Sequence, residues 1–327
     1  MYDVVSLGEL LIDFTPAERS KNQNPVFEQN PGGAPANVLV ACNRLGRQGA
    51  FIGMVGNDQF GFFLKEILEK NGVNTVGLKF TDKASTTLAF VHLDGKGDRS
   101  FSFCRKPGAD TLLSVETLDL SIIDPCKVFH FGSVSMTHEP ARTATLQAAA
   151  YAKSKGRIVS YDPNYRPALW ESRDDAIKSM KAGIPFADIV KVSDEELALV
   201  SDCADMRQGA ACLLEKGITL VCVTLGAKGC YYAHQSAEGY LPTYDTKVMD
   251  TTGSGDAFMG ALLHGVLKES HSLLELTKAE LEDIVDFANA AGAVCATKRG
   301  AIPAIPTIEE ILQCQRSVQK FLAMKNL

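Results

Sequence analysis

The sequence predicts an α/β protein built on a mostly parallel central sheet with helices on both faces. Two observations carry this. Short β-branched or apolar runs recur along the chain, and stretches of helical period separate them, many closed by a glycine where the residue after a helix belongs. At 327 residues, 46% hydrophobic and 22% charged, the chain can bury the core that such a sheet needs.

Taken in order, the predicted strands include residues 4–12, 50–55, 128–131, 158–161, 189–192 and 220–224. The predicted helices include 36–45, 61–71, 141–155, 174–182, 206–215 and 256–267, with Gly46, Gly72, Gly156 and Gly217 as stop signals. One region breaks the alternation. Residues 86–93 and 99–104 are two strand-like runs around Asp94-Gly95-Lys96-Gly97-Asp98, a turn whose glycines permit positive φ, so they predict an antiparallel hairpin. Residues 14–30 are polar and poor in helix signals. The two segments are expected to pair as a small β lid, 14–30 with 86–105, inserted in an α/β domain made of 1–13, 31–85 and 106–327.

The most informative stretch is Asp250-Thr251-Thr252-Gly253-Ser254-Gly255-Asp256, which follows a strand-like region and opens a helix. Backbone amides of Gly253, Ser254 and Gly255 would face one concavity at the positive end of that helix, which makes an anion hole. Asp256 puts a carboxylate beside it. A carboxylate there cannot bind the anion, but it can take a proton from an attacking hydroxyl. An ordinary glycine-rich turn is the bland alternative. The stretch is not a G-x-x-x-x-G-K-S/T loop, and Phe258 stands where the third glycine of a dinucleotide fingerprint would be.

A second cluster, Gly32-Gly33-Ala34-Pro35-Ala36-Asn37, reads as a tight turn into a helix, with Pro35 at the first helical position and Asn37 offering its amide to a ligand hydroxyl. Asp13 is expected at the end of the first strand, where ligands bind in open parallel sheets. Taken alone, each of these also reads as ordinary structure.

Together these motifs resemble the ribokinase-like (PfkB) carbohydrate kinases. The resemblance continues through Gly53-Met54-Val55-Gly56-Asn57-Asp58, Asp162-Pro163-Asn164-Tyr165-Arg166, Thr224-Leu225-Gly226-Ala227-Lys228-Gly229 and Gly300-Ala301-Ile302-Pro303, covering essentially the whole chain. Within the family the wording is most similar to fructokinases, for instance at Arg105-Lys106-Pro107-Gly108-Ala109-Asp110. The resemblance implies a ribokinase-like fold and transfer of the ATP γ-phosphate to the 6-hydroxyl of D-fructose, with Asp256 as the base. A kinase for 2-keto-3-deoxygluconate or another sugar, or a non-catalytic sugar-binding regulator, stands as the alternative.

The resemblance further implies that Asp13, Gly32, Gly33, Asn37, Arg105 and Arg166 hold the sugar, and that Thr224, Gly226, Gly229 and Asn289 border the nucleotide. Mg²⁺ would accompany ATP. K⁺ would lie by Asp250, Thr252 and the loop near Gly300. The family's N-x-x-E motif stands here as Ser193-Asp194-Glu195-Glu196, so Glu196 is kept and Ser193 replaces Asn. A homodimer through the lid is expected, since many relatives pair that way.

Composition excludes other classes. Thirty-three Lys and Arg against thirty-nine Asp and Glu give a net charge of −6, so no basic excess is available for nucleic-acid phosphates. The nine cysteines are scattered without C-x-x-C pairs, which predicts reduced thiols, mostly in the core. Asp3, Glu9 and Asp13 interrupt the apolar start and no run of eighteen apolar residues occurs, so a soluble cytoplasmic protein with no membrane partner is expected. The six histidines show no ligand spacing and are expected to be structural.

Overall fold

The computed structural model describes residues 1–17, 19–93 and 99–322, and the side chains of these except 93 and 99–101. The Asp94 to Asp98 turn therefore lies outside the described residues. In chain order the strands are β1 (Tyr2–Leu7), β2 (Leu11–Pro16), β3 (Phe27–Gly32), β4 (Gly49–Gly56), β5 (Asn74–Thr81), β6 (Leu88–Leu93) and β7 (Arg99–Cys104). They continue with β8 (Cys126–Gly132), β9 (Ile158–Asp162), β10 (Ile189–Ser193), β11 (Leu220–Thr224), β12 (Cys230–His234) and β13 (Ala237–Leu241). The α-helices are α1 (Ala34–Arg44), α2 (Gln59–Lys70), α3 (Ala141–Ser154), α4 (Arg173–Gly183), α5 (Asp194–Ser201), α6 (Met206–Glu215), α7 (Ser254–Val266), α8 (Lys278–Cys295) and α9 (Ile308–Ser317).

Nine strands form one sheet in the order β13-β12-β11-β10-β9-β8-β1-β4-β5. Seven of them, β5 through β11 in that order, run parallel, and β12 and β13 add an antiparallel edge. Alternation along each strand feeds two cores: in β4, Phe51 and Val55 face the layer of α1, α2, α7, α8 and α9, while Ala50 and Ile52 face that of α3 to α6. The chain runs from β1 to β4 on one side and returns to β8 on the other. That reversal opens a crevice at the carboxyl ends of β1 and β8, the place where open parallel sheets bind ligands. The stop signals are honoured: Gly46, Gly72, Gly156 and Gly217 all have positive φ, between 67° and 95°.

A second sheet of four strands, β3-β2-β6-β7, stands at this edge; β2 pairs with β3 antiparallel and with β6 parallel, and β6 and β7 form an antiparallel hairpin. The single strand expected over residues 4–12 is in fact two, β1 in the large sheet and β2 in the small one. The chain bends at Gly8, where a Cβ would lie 2.4 Å from the Pro35 ring, and Glu9 turns inward to accept a hydrogen bond from the Ala34 N–H at 2.9 Å. Asp13 is thus the third residue of β2 in the small sheet, not the last of a core strand. Likewise Pro35 is the second residue of α1, which starts at Ala34 after Gly33 at φ 117°.

Among the described residues no helix is long and apolar enough to cross a membrane. Six of the nine cysteines are buried, and all nine are free thiols. His130 is buried and bonded to Ser160 at 2.9 Å, and burial first of all pushes its pKa down to about 3, so it stays neutral.

Candidate active site

The site is assembled where α7 begins. Gly253 caps the helix in the left-handed region at φ 78°, and a Cβ there would also crowd the Ala301 backbone at 3.0 Å. The Ser254 N–H turns back to Thr251 O at 3.2 Å, so this amide, expected in the anion hole, is engaged in the loop. The N–H groups of Gly255 and Asp256, second and third in the helix, have no intrahelical acceptor and lie at the positive end of its dipole. A Cβ at Gly255 would lie 2.9 Å from Lys191 Nζ, so a side chain there would displace the lysine head group.

Two cavities meet at this turn, with Thr251 and Gly255 in the walls of both. The first, of about 390 Å³, is the more polar of the two and gathers Asp13, Gly33, Asn37, Arg166, Lys191 and Asp256. The second, of about 330 Å³, is mainly apolar, with Thr224, Gly226, Gly229, Asn289, Phe258 and Phe321 in its wall. A phosphoryl group at the α7 N-terminus would therefore face a polar pocket on one side and an apolar pocket on the other.

The charges in the polar cavity are tuned against each other. Burial raises the Asp256 carboxyl to about 6, while an amide hydrogen bond from Asn37 Nδ2 to its Oδ2, at 2.8 Å, and the Lys191 and Arg166 charges pull the other way. Asp13 is also raised to about 6, first by burial and then by Asp256 and Asp250, with Arg166 opposing. Its carboxylate has no hydrogen-bond donor from the protein among the described residues, whereas Gly32, across the strand pair, leaves room for it: a Cβ there would lie 2.3 Å from Asp13 Oδ2. Arg166 is exposed at the mouth, and among the described residues its side chain bonds only to its neighbour's carbonyl, Tyr165 O, at 3.1 Å.

Other expected residues are engaged by partners within the protein. Arg105 is 5% exposed and outside both cavity walls: it forks onto Asp110 at 2.9 and 2.6 Å and donates to Thr137 Oγ1 and to the carbonyl of the wall residue Val134. Ser193 and Glu196 form a capping box at the start of α5; the two Glu196 carboxylate oxygens accept from the Tyr165 and Ser193 amides at 2.6 and 2.8 Å. Neither is in the wall of either of these two cavities. Asp250 ties two loops together, with Oδ1 accepting from the Thr252 N–H and hydroxyl and Oδ2 from the Gly300 N–H at 3.1 Å. Asn289 lines the apolar cavity with its amide donating to Leu241 O at 3.1 Å.

Three groups were not singled out from the sequence. Lys191 is buried in β10 and paired with Asp162 at 2.8 Å, and Asp162 Oδ1 is buried without a hydrogen-bond partner among the described residues. Its signal was present: a lone lysine inside the apolar run 189–192 demands a buried counter-charge. Glu9, 3% exposed, borders the polar cavity, and its removal from water raises it to about 7.

Comparison with known proteins completes the picture. A family model described as "pfkB family carbohydrate kinase" matches residues 1–308. Fructokinase-1 of Zea mays is 45% identical over 313 residues, 95% of this chain and 96% of that protein. A crystal structure of a fructokinase with bound ATP from Xylella fastidiosa is 35% identical, with a TM-score of 0.90 over 97% of this chain and 99% of that one. The fructokinase of Vibrio cholerae O395, solved with fructose, ADP and calcium ion, is 34% identical with a TM-score of 0.86 over 96% of this chain and 99% of that one. A double mutant of that enzyme is solved with fructose, ADP and potassium ion.

Proposed function

The chain belongs to the pfkB family of carbohydrate kinases, and on that premise we propose that it transfers the γ-phosphate of ATP to the 6-hydroxyl of D-fructose, giving ADP and fructose 6-phosphate. The observation that carries this reading is the placement of Asp256: a buried carboxylate in the wall of the polar cavity, beside the helix N-terminal anion hole where that cavity meets the apolar one.

Each residue then has a physical task. Asp256 takes the proton of the 6-hydroxyl as that oxygen attacks, and Asn37 holds the carboxylate in place for it. The Gly255 and Asp256 amides and the Lys191 ammonium stabilise the charge spread over the transferring group. Asp13 accepts from sugar hydroxyls, the Asn37 carbonyl oxygen, buried without a partner among the described residues, accepts another, and Gly33 lets the sugar approach the backbone. Arg166 supplies positive charge at the mouth. Arg105 acts one layer back, fixing the Val134 wall. The apolar cavity takes the adenosine, with Thr224, Gly226 and Gly229 along its edge and Asn289 beside it.

Mg²⁺ would neutralise the triphosphate, held mostly by phosphate and water, and the doubly engaged Glu196 would act on it only through water. K⁺ would lie between the loops that Asp250 ties together, near Thr252 and Gly300, which the potassium-bound relative supports. Residues 14–30 and 86–105 serve as a lid that excludes water. Val26 and Phe27, each 38% exposed on or beside β3, support pairing of two copies through this sheet. Light scattering at micromolar concentration tests that: a dimer is expected, and a monomer overturns it. The buried free thiols support a reducing compartment such as the cytoplasm.

The test of the reaction is ADP release over a panel of sugars. Fructose should give the highest kcat/KM. A clear preference for 2-keto-3-deoxygluconate, or no ADP release with any sugar, would overturn the reading.

A further inference from the structure

The family match ends at residue 308, yet the chain continues past α9 and returns to the apolar cavity. Three consecutive residues pin it there. Asp245 N donates to Gln319 O at 2.8 Å, Tyr244 and Lys320 pair as an antiparallel bridge, and Phe321 N donates to Thr243 O at 2.9 Å. The Lys320 side chain adds two more attachments, with Nζ 2.6 Å from Asp286 Oδ1 and 5.3 Å from the centre of the Tyr244 ring. The tail is therefore a short strap laid along residues 243–245.

The strap places the ring of Phe321 in the wall of the apolar cavity, together with Val248, Phe258, Ala293 and Ala296. Phe321 is 37% exposed, although its backbone N–H is tied to Thr243 O. An ordered aromatic ring left partly in water at a cavity wall gains by stacking on a ligand. The rest of the wall says which part of the ligand. Several of its polar side chains are bonded within the protein, Asn289 Nδ2 to Leu241 O, Thr243 Oγ1 to Asn289 O and Thr246 Oγ1 to Ala293 O, while the Ser254 hydroxyl lies at the end next to Gly255, where the phosphates would be. Such a surface offers flat apolar contact more than side-chain hydrogen bonds, and it opens at Gly255 onto the anion hole. A purine base with its phosphates at Gly255 matches both ends.

We propose that Phe321, supplied by the C-terminal strap, is a base-stacking residue of the nucleotide site. This rests on the reading of the apolar cavity as the place of the ATP adenosine. The strap adds a contact that the family's matched region does not contain.

Kinetics of Phe321→Ala test it. KM for ATP should rise at least about fivefold, as loss of one base-aromatic stack implies, while KM for fructose stays within about twofold, which a general loss of folding would not produce. Phe321→Leu should lie between the two. Phe321→Trp gives a second readout: the chain has one other tryptophan, Trp170, packed in the core on the opposite face of the sheet, so ATP should change the fluorescence of the new indole with a midpoint matching KM. An unchanged KM for ATP in Phe321→Ala, equal rises for both substrates, or fluorescence indifferent to ATP would overturn the proposal. Wild-type enzyme run beside the variants separates the two readings: if it turns over ATP and fructose normally while Phe321→Ala matches it, stacking alone fails; if it turns over no sugar, the kinase reading fails, and the Phe321→Trp titration still decides the stacking.

Discussion

Asn37 and Asp256 are 219 residues apart in sequence, yet Asn37 Nδ2 donates to Asp256 Oδ2 at 2.8 Å. The bond joins the fourth residue of α1 to the third residue of α7, so two helix N-termini are locked around one carboxylate. It also opposes burial. Removal from water favours the neutral acid, and the amide donor favours the ionised form that a base needs.

Asp256→Asn should lower kcat by at least about 100-fold, as expected for loss of a general base, with ATP and fructose binding largely kept. The same change should stabilise the ligand-free protein. The folded-state pKa of about 6 lies above the 3.8 of an ordinary aspartate, so the folded form binds more protons between these values and loses stability as pH rises through that window. At pH 7 the full penalty is present, about 1–3 kcal/mol from the size of the shift, and the Asn variant escapes it. Melting at pH 7 and again below pH 4 checks this: Asp256→Asn should melt higher in the first case and not in the second.

The pH profile of kcat/KM should fall on the acid side around pH 6, where Asp256 and Asp13 take up protons as a coupled pair. Asn37→Ala removes a donor to the ionised base, so the acid limb should move to higher pH. A limb that stays in place would mean that another group sets it.

Asp13→Ala should raise KM for fructose by much more than KM for ATP, since sugar hydroxyls would be left unpaired in a closed site at a cost of about 1–3 kcal/mol. Equal losses for both substrates, measured by steady-state kinetics, would remove Asp13 from the sugar pocket.

Lys191→Met should lower kcat by about tenfold or more, the expected scale for one donor aimed at developing charge. It should also move the acid limb upward, because a cation facing Asp256 is gone and Asp162 is left unpaired. Breaking a buried pair costs about 3–5 kcal/mol, so the double variant Lys191→Met with Asp162→Leu is the control. It should regain thermal stability without regaining kcat.

Patterns within one element were legible in the sequence: the glycines that end helices, the anion-hole turn, and the parallel sheet. Asp256 was legible as a candidate from its place beside the anion-hole turn, whereas Asp13 and Asn37, ordinary when taken alone, became candidates through the resemblance to the PfkB kinases. What was hidden depended on contacts between elements. The inward turn of Glu9 splits one apolar run into strands of two different sheets, and no periodicity reports that. Arg105 looked available to a ligand until its partners Asp110 and Thr137 were seen. Ser193 and Glu196 resembled a phosphate motif, and locally they cap a helix. Lys191 and Phe321 belong to the site only through residues far away in sequence.

The most direct measurement of the central claim is product identity: purified protein with ATP, Mg²⁺ and fructose, followed by phosphorus and carbon NMR of the sugar product. The account predicts fructose 6-phosphate formed in step with ADP by the wild type and lost in Asp256→Asn. Phosphate at another carbon, ADP formed without sugar phosphate, or equal turnover by the Asp256→Asn variant would contradict it.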